Sequence, residues 1–314
     1  MKNKTLQPYL WILVSGFAFS WMATLAPLAT KGCNWQLVAI VRCAIPLVLI
    51  AIWARWDGVK LILWAPPVLW MRSLSGSCSL VGTFFVLSQM PITDIYTISN
   101  IFPIWVALLS WPMLGRMPSG LVWLSILSSV IGVALIQGAQ LQDGELAALV
   151  VVAVSIFTAI AMMGLNRLAH LDPRAVVHFS ATALVFATVC YFIFPYKPAE
   201  ELFEWWHLAE LLAVGVTAAI GQYFLTRAFT AGDPARVSVA SLTQFVFILV
   251  LDVVVLNHPL NPAKLWGIPL ILGPTVWLMT QRVKTSDIVV IANGAEVGAP
   301  PTVAVCADSA DGKD

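Results

Sequence analysis

This sequence is poor in charge. Its 314 residues include 17 Lys and Arg and 16 Asp and Glu, 11% together, with a formal net charge of +1. Soluble domains average roughly 25% charged residues, so a water-solvated globule is excluded. A near-neutral chain with no basic stripe also excludes a nucleic-acid partner. Cysteine is equally sparse. Cys33, Cys43, Cys78, Cys190 and Cys306 are scattered, without a CxxC pair, and the four histidines show no HExxH spacing. Neither a disulfide framework nor a metal site is indicated. No phosphate-binding glycine loop of the Walker type is present, and no cofactor is expected.

What is abundant is hydrocarbon. Hydrophobic residues are 60% of the chain and mean hydropathy is +0.87. Apolar windows recur at 10–28, 35–54, 64–88, 92–113, 119–138, 145–166, 175–194, 208–230, 236–256 and 263–281. Each is long enough to cross a lipid core of ~30 Å as a helix. Helix is the required form, because lipid supplies no water to satisfy an open backbone. The first window follows Lys2 and Lys4, as a signal peptide would. It is too long and, with Trp11, Phe17, Phe19 and Trp21, too bulky for one, and reads as an uncleaved first helix. The fold class expected is an all-α membrane protein of about ten transmembrane helices.

Loop charges orient it. With the N-terminus in the cytoplasm, the cytoplasmic segments hold Lys2, Lys4, Arg55, Lys60, Arg116, Arg167, Arg174, Arg227, Arg236, Arg282 and Lys284. The opposite loops hold Lys31, Lys197 and Lys264. This bias requires an even number of crossings and places both termini in the cytoplasm of a plasma (inner) membrane protein. Tryptophans near the window ends form an aromatic belt. Residues 285–314 turn to Gly, Ala, Pro, Asp and Ser and read as a disordered tail.

The halves echo one another. GTFFVL at Gly82–Leu87 returns as GQYFLT at Gly221–Thr226, and Asp94 and Ser99 return as Asp233 and Ser238 at the same offset. Five helices in each half make an inverted repeat, 1–141 and 142–284, an arrangement found in carriers that alternate access. The small-residue runs GVALIQG and GVTAAIG permit close helix contact.

The stretch DIYTISNIFPIWVALLSWPMLGRMPSG (Asp94–Gly120), then SILSSVIGVALIQG (Ser125–Gly138), resembles the drug/metabolite transporter superfamily in its EamA-like branch. The second copy is ASLTQFVFILVLDVVVLNHPLNP (Ala240–Pro262), then GIPLILGPTVWLM (Gly267–Met279). The resemblance spans nearly the whole chain apart from the tail. It implies two five-helix repeats and a central cavity lined by helices one, three, four, eight and nine. It departs from the family where the acidic residue after LG is replaced, by Arg116 in the first half and His258 in the second.

Ionisable groups inside lipid are costly, about 2.5–3.5 kcal/mol each on insertion scales, and mark candidate sites. Arg72, about 12 Å deep by helical rise, is either a forked anchor for a substrate carboxylate or phosphate, or a structural Arg satisfied by carbonyls or by Ser73, Ser75 and Ser77. Asn100, Gln244 and Trp21 fall at similar depth, with Tyr96, Gln222 and Tyr223 a turn or two away. Together they are expected to line a polar substrate site. Arg42 is expected to pair with Asp252 or Asp94. If transport is proton-coupled, Asp252 is the candidate carrier. His178 and His258 read as structural, and Trp105 as deep enough to stack on a substrate.

The function expected is secondary transport of a small polar or amphipathic metabolite by a multi-pass protein embedded in a lipid bilayer, with a homodimer left open. A lipid flippase or non-transporting sensor on the same fold is the alternative. A membrane-embedded enzyme is not expected, since no nucleophile, base or metal set gathers at one depth.

Overall fold

A computed structural model describes residues 3–58, 66–86, 92–115, 117–138, 145–168, 172–194, 205–257 and 262–281. Arg116, His258 and the tail after Gln281 lie outside the described residues. The described residues form helices only: α1 (Asn3–Gly32), α2 (Trp35–Trp56), α3 (Pro67–Val86), α4 (Ile92–Ser99), α5 (Phe102–Leu114), α6 (Gly120–Gln137), α7 (Glu145–Asn166), α8 (Asp172–Ile193), α9 (Trp205–Ala231), α10 (Pro234–Ser241), α11 (Gln244–Val254), α12 (Pro262–Leu265) and α13 (Gly267–Thr280).

Among the described residues, eight segments are long and apolar enough to cross a membrane, including Asp94–Leu114 and Pro234–Val254, each built from two helices in tandem. Two of the expected windows fall short. The window at 64–88 becomes α3, whose Arg72 and four serines lower its hydropathy. The window at 263–281 yields only the fourteen residues of α13.

Polarity is arranged inside out relative to a soluble protein. Ser15, Ser20, Arg72, Ser73, Ser77 and Ser129 are buried, while Phe192, Val254 and Leu149 are exposed. Buried hydroxyls satisfy themselves locally, as Ser77 Oγ donates to Ser73 O at 2.7 Å and Ser110 Oγ to Val106 O at 2.7 Å. A helix in lipid can therefore carry serines on its packed face without stranding them.

The two tandem pairs break for different reasons. Between α4 and α5, Pro103 has no N–H for the carbonyl of Ser99, and the Asn100 side-chain amide turns back to donate to Tyr96 O. Between α10 and α11, Ser238, Ser241 and Thr243 each donate to the carbonyl three residues back, at 2.7–2.8 Å. These bonds compete with the regular ladder, and the chain turns at Leu242–Thr243.

The most extensive contacts are α1 on α9, α3 on α7, α2 on α8, α2 on α9, α6 on α13 and α3 on α8. Several crossings need glycine. On α9, a Cβ at Gly221 would sit 2.7 Å from the Phe19 ring, and on α3, one at Gly82 would sit 2.7 Å from Val154 Cγ2. On α6 and α13, Gly132 and Gly267 face each other, so that a Cβ on either would strike the other's carbonyl oxygen and the isoleucine one turn beyond it, Ile271 or Ile136.

Candidate functional site

The helices enclose a cavity of about 760 Å³. Arg72 comes to it from α3, Tyr96 from α4, Asn100 from the α4–α5 break, Gln222 from α9 and Gln244 from the start of α11. Both helix breaks therefore deliver polar side chains to the same space. At one end the wall includes Thr30, Cys33, Asn34 and Trp35, so the cavity reaches the α1–α2 turn. At the other end Asn166, the last residue of α7, donates its amide to Phe229 O at 3.0 Å and to Gly232 O at 2.9 Å. Those bonds close α7 onto α9.

Arg72 is 1% exposed. The serines beside it are engaged elsewhere: Ser75 Oγ donates to Met71 O, Ser77 Oγ to Ser73 O, and Ser73 Oγ pairs with His178 Nδ1 at 2.7 Å. The expected satisfaction of Arg72 by these hydroxyls is not what holds it. Its guanidinium lies 4.3 Å from the centroid of the Phe179 ring on α8, a cation–π contact, with Gly76 leaving room for Nη1. Nε of Arg72 and Nε2 of Gln222 are buried donors without a hydrogen-bond partner. No Asp or Glu is among the described lining residues.

Other candidates lie elsewhere. Trp21 and Asp252 are not among the lining residues. Tyr223 is not either; it packs edge-on to Trp53 at 4.7 Å and takes the Arg227 guanidinium over its ring at 5.1 Å. Trp105 donates Nε1–H to Ser155 Oγ at 2.9 Å and is absent from the wall. His178 sits edge-on to Trp70 at 4.7 Å. Among the described residues Arg42 makes no ion pair with Asp94 or Asp252. It lines the cavity instead, with Nε donating to Met22 Sδ at 3.0 Å. Sequence reasoning missed Arg42 as a wall residue, although it lies as deep in its window as Arg72 does. Phe179 carried no signal, being one aromatic among many.

A cavity of this size within an apolar helical bundle is suited to carrying a solute. Residues 145–280 match the sequence model of the EamA-like transporter family. The chain carries an EamA-like transporter domain. Over 238 residues it is 29% identical to the pseudopaline exporter CntI of Pseudomonas aeruginosa, a span that is 75% of this chain and 82% of that protein. It is 24% identical over 286 residues to a probable transport protein of Saccharomyces cerevisiae, 81% of each chain. A crystal structure matches with a TM-score of 0.74 at 18% identity, covering 88% of this chain and 98% of that one, a likeness of fold alone. The chain is a multi-pass membrane transporter.

Proposed function

We propose that this EamA-like chain is a secondary transporter of the plasma membrane that moves a small polar or amphipathic metabolite bearing an acidic group by alternating access. The observation that carries the reading is Arg72: a buried guanidinium on the wall of a 760 Å³ cavity, held by an aromatic face rather than by a carboxylate. A buried charge without a counter-ion is costly, and an acidic substrate supplies one in the forked geometry that a guanidinium favours. Tyr96, Asn100, Gln222 and Gln244 surround the rest of the substrate. Asp252, off the cavity wall, remains the proton-carrier candidate if transport is coupled to protons.

The architecture proposed is ten crossings in two inverted repeats, 1–141 and 142–284. The crossings are α1, α2, α3, α4–α5 and α6 in the first, then α7, α8, α9, α10–α11 and α12–α13 in the second. Support comes from the packing. Exchanging the halves carries the α1–α9 contact into α7–α3 and α2–α9 into α8–α3, and returns α2–α8 and α6–α13 to themselves. Gly221 against Phe19 then answers Gly82 against Val154. The fourth crossing of each half is the broken one, a common feature of carriers. With both termini cytoplasmic, the cavity faces the outside.

The test is paired. Purified Arg72→Ala should lose at least roughly tenfold in affinity for a transported acid, the effect of one charge-assisted contact, with its melting temperature near that of the parent. Arg72→Lys should rescue poorly, since an ammonium lacks the planar fork. Unchanged affinity with a lowered melting temperature would make Arg72 a structural residue and remove the reading.

A further inference from the structure

Arg72 shares the cavity wall with a second cation. Arg42, on the second turn of α2, is half-buried and lines the same space. Its neighbours are Met22 Sδ at 3.0 Å and the Phe84 ring, whose centroid lies 5.8 Å from its guanidinium carbon. A thioether and a π-face position a guanidinium without cancelling its charge. Arg72 is in the same state deeper down, over Phe179. The described wall therefore carries two positive charges and no negative one.

The two charges stand at different levels. Phe84, beside Arg42, follows Arg72 by twelve residues on α3, or about 18 Å of helical rise. Arg72 reaches along the helix towards Gly76, and a helical side chain such as Phe84 leans back towards the N-terminus. Both effects shorten the gap, leaving the guanidinium groups on the order of 10 Å apart. Between them lie Leu80 and Phe179, with Gln222 on the facing helix.

We propose that the transported molecule carries two acidic groups, one received by Arg72 at the base of the cavity and the other by Arg42 nearer the α1–α2 turn. The proposal rests on the reading of Arg72 as substrate anchor and adds a second contact to it. A monoacid leaves one cation uncompensated in a low-dielectric space, whereas a diacid of matching length neutralises both. The unpartnered Nε2 of Gln222 supplies a further donor for the same molecule, and the apolar wall between the arginines takes its middle.

Ligand-induced thermal stabilisation of the full chain in detergent separates the possibilities. The probes are the linear diacids from succinate to suberate and the monoacids from butyrate to octanoate. One diacid length should bind at least roughly tenfold more tightly than its matched monoacid, the effect of one added charge-assisted contact. Arg42→Gln should erase that advantage, so that the diacid binds no more tightly than its matched monoacid. Arg42→Met, which keeps the packing of the stem, should do the same should the glutamine variant fold poorly. Arg72→Gln should weaken both series. Monoacids that bind and depend on Arg72, with no diacid advantage, overturn the second contact and leave the anchor standing. Affinities unchanged by Arg72→Gln overturn the anchor, and no saturable response to either series at millimolar concentration overturns both.

Discussion

Tyr223 follows Gln222 directly in the chain, yet only Gln222 lines the cavity. Helical rise fixes how deep a residue lies, and that much is legible in a sequence once the membrane windows are drawn. It does not fix which way the residue faces: one step along a helix turns a side chain by about 100°. Gln222 turns to the cavity, whereas Tyr223 turns to Trp53 and Arg227. Depth alone therefore brought Arg72, Tyr96, Asn100, Gln222 and Gln244 into consideration, and also swept in Tyr223 and Trp21. Arg42 is missed for another reason: an expected pairing with Asp252 or Asp94 leaves it no charge to offer a ligand. A labelling experiment exploits the difference in facing. Single cysteines at Tyr96, Asn100, Gln222 and Gln244 should react with a small aqueous thiol reagent, and a ligand that raises the melting temperature should slow them. Tyr223→Cys should show no such protection. Native Cys33 at the α1–α2 turn contributes little background, since burial pushes its thiol up to about 11 and little thiolate exists at neutral pH. Equal protection at Tyr223 and Gln222 would count against the cavity as the binding site.

The helices themselves were legible because a long apolar window in lipid has one stable backbone form. Their interruptions were not. Pro103 was visible as a proline in the fourth window, but the break at Leu242–Thr243 has no proline and arises from three hydroxyls bonding backwards. The helix at 64–88 is legible as an apolar window, but the inward packing of its polar face, between α7 and α8, is not. The α6–α13 crossing is the sharpest element-level feature. GVALI at Gly132–Ile136 meets GIPLI at Gly267–Ile271, each glycine against the other's carbonyl and each isoleucine against the other's glycine. No lipid or solvent can relax a backbone-to-backbone contact of this kind. Gly132→Ala and Gly267→Ala should each destabilise by about 1–3 kcal/mol, the usual cost of overpacking, despite the roughly 0.5–1 kcal/mol that alanine gains over glycine inside a helix. Because the contact is mutual, the double variant should lose less than the two singles combined. Thermal unfolding of the four proteins measures this, and additive losses would show that the two glycines do not share one contact.

At the scale of the molecule, the departures from pairwise symmetry point to one end of the bundle as the more tightly packed. Exchanging the halves accounts for the principal contacts, but α7 also packs on α9, and α10 on both, without α1–α3, α1–α4 or α3–α4 contacts of comparable extent among the described residues. On the proposed inverted repeat, the contacts present in one half and missing from the other mark the closed side. Here that side is the one bearing the start of α1, where Pro8 lies against Gly232. The specific fastening is Asn166, whose amide bonds two carbonyls at the end of α9. Tyr9 also donates to Leu278 O, tying α1 to α13, and Arg167 to Met113 O, tying the end of α7 to α5; the Asn166 bonds are the ones that tie the end of α7 to the end of α9. Asn166→Ala removes both bonds, at a net cost to the closed state of about 1–2 kcal/mol, enough to shift a two-state population by roughly 5–30-fold. A cysteine at Leu225, on the cavity wall and one turn from Phe229, reports the change. In vesicles exposing the α1 N-terminal face, its labelling by an impermeant thiol reagent should quicken when Asn166→Ala is added. In vesicles of the opposite sidedness it should slow, because opening one side of an alternating carrier closes the other. Faster labelling from both sides would mean that the change loosens the bundle rather than releasing a gate, and unchanged rates would mean that Asn166 fastens nothing that transport must open.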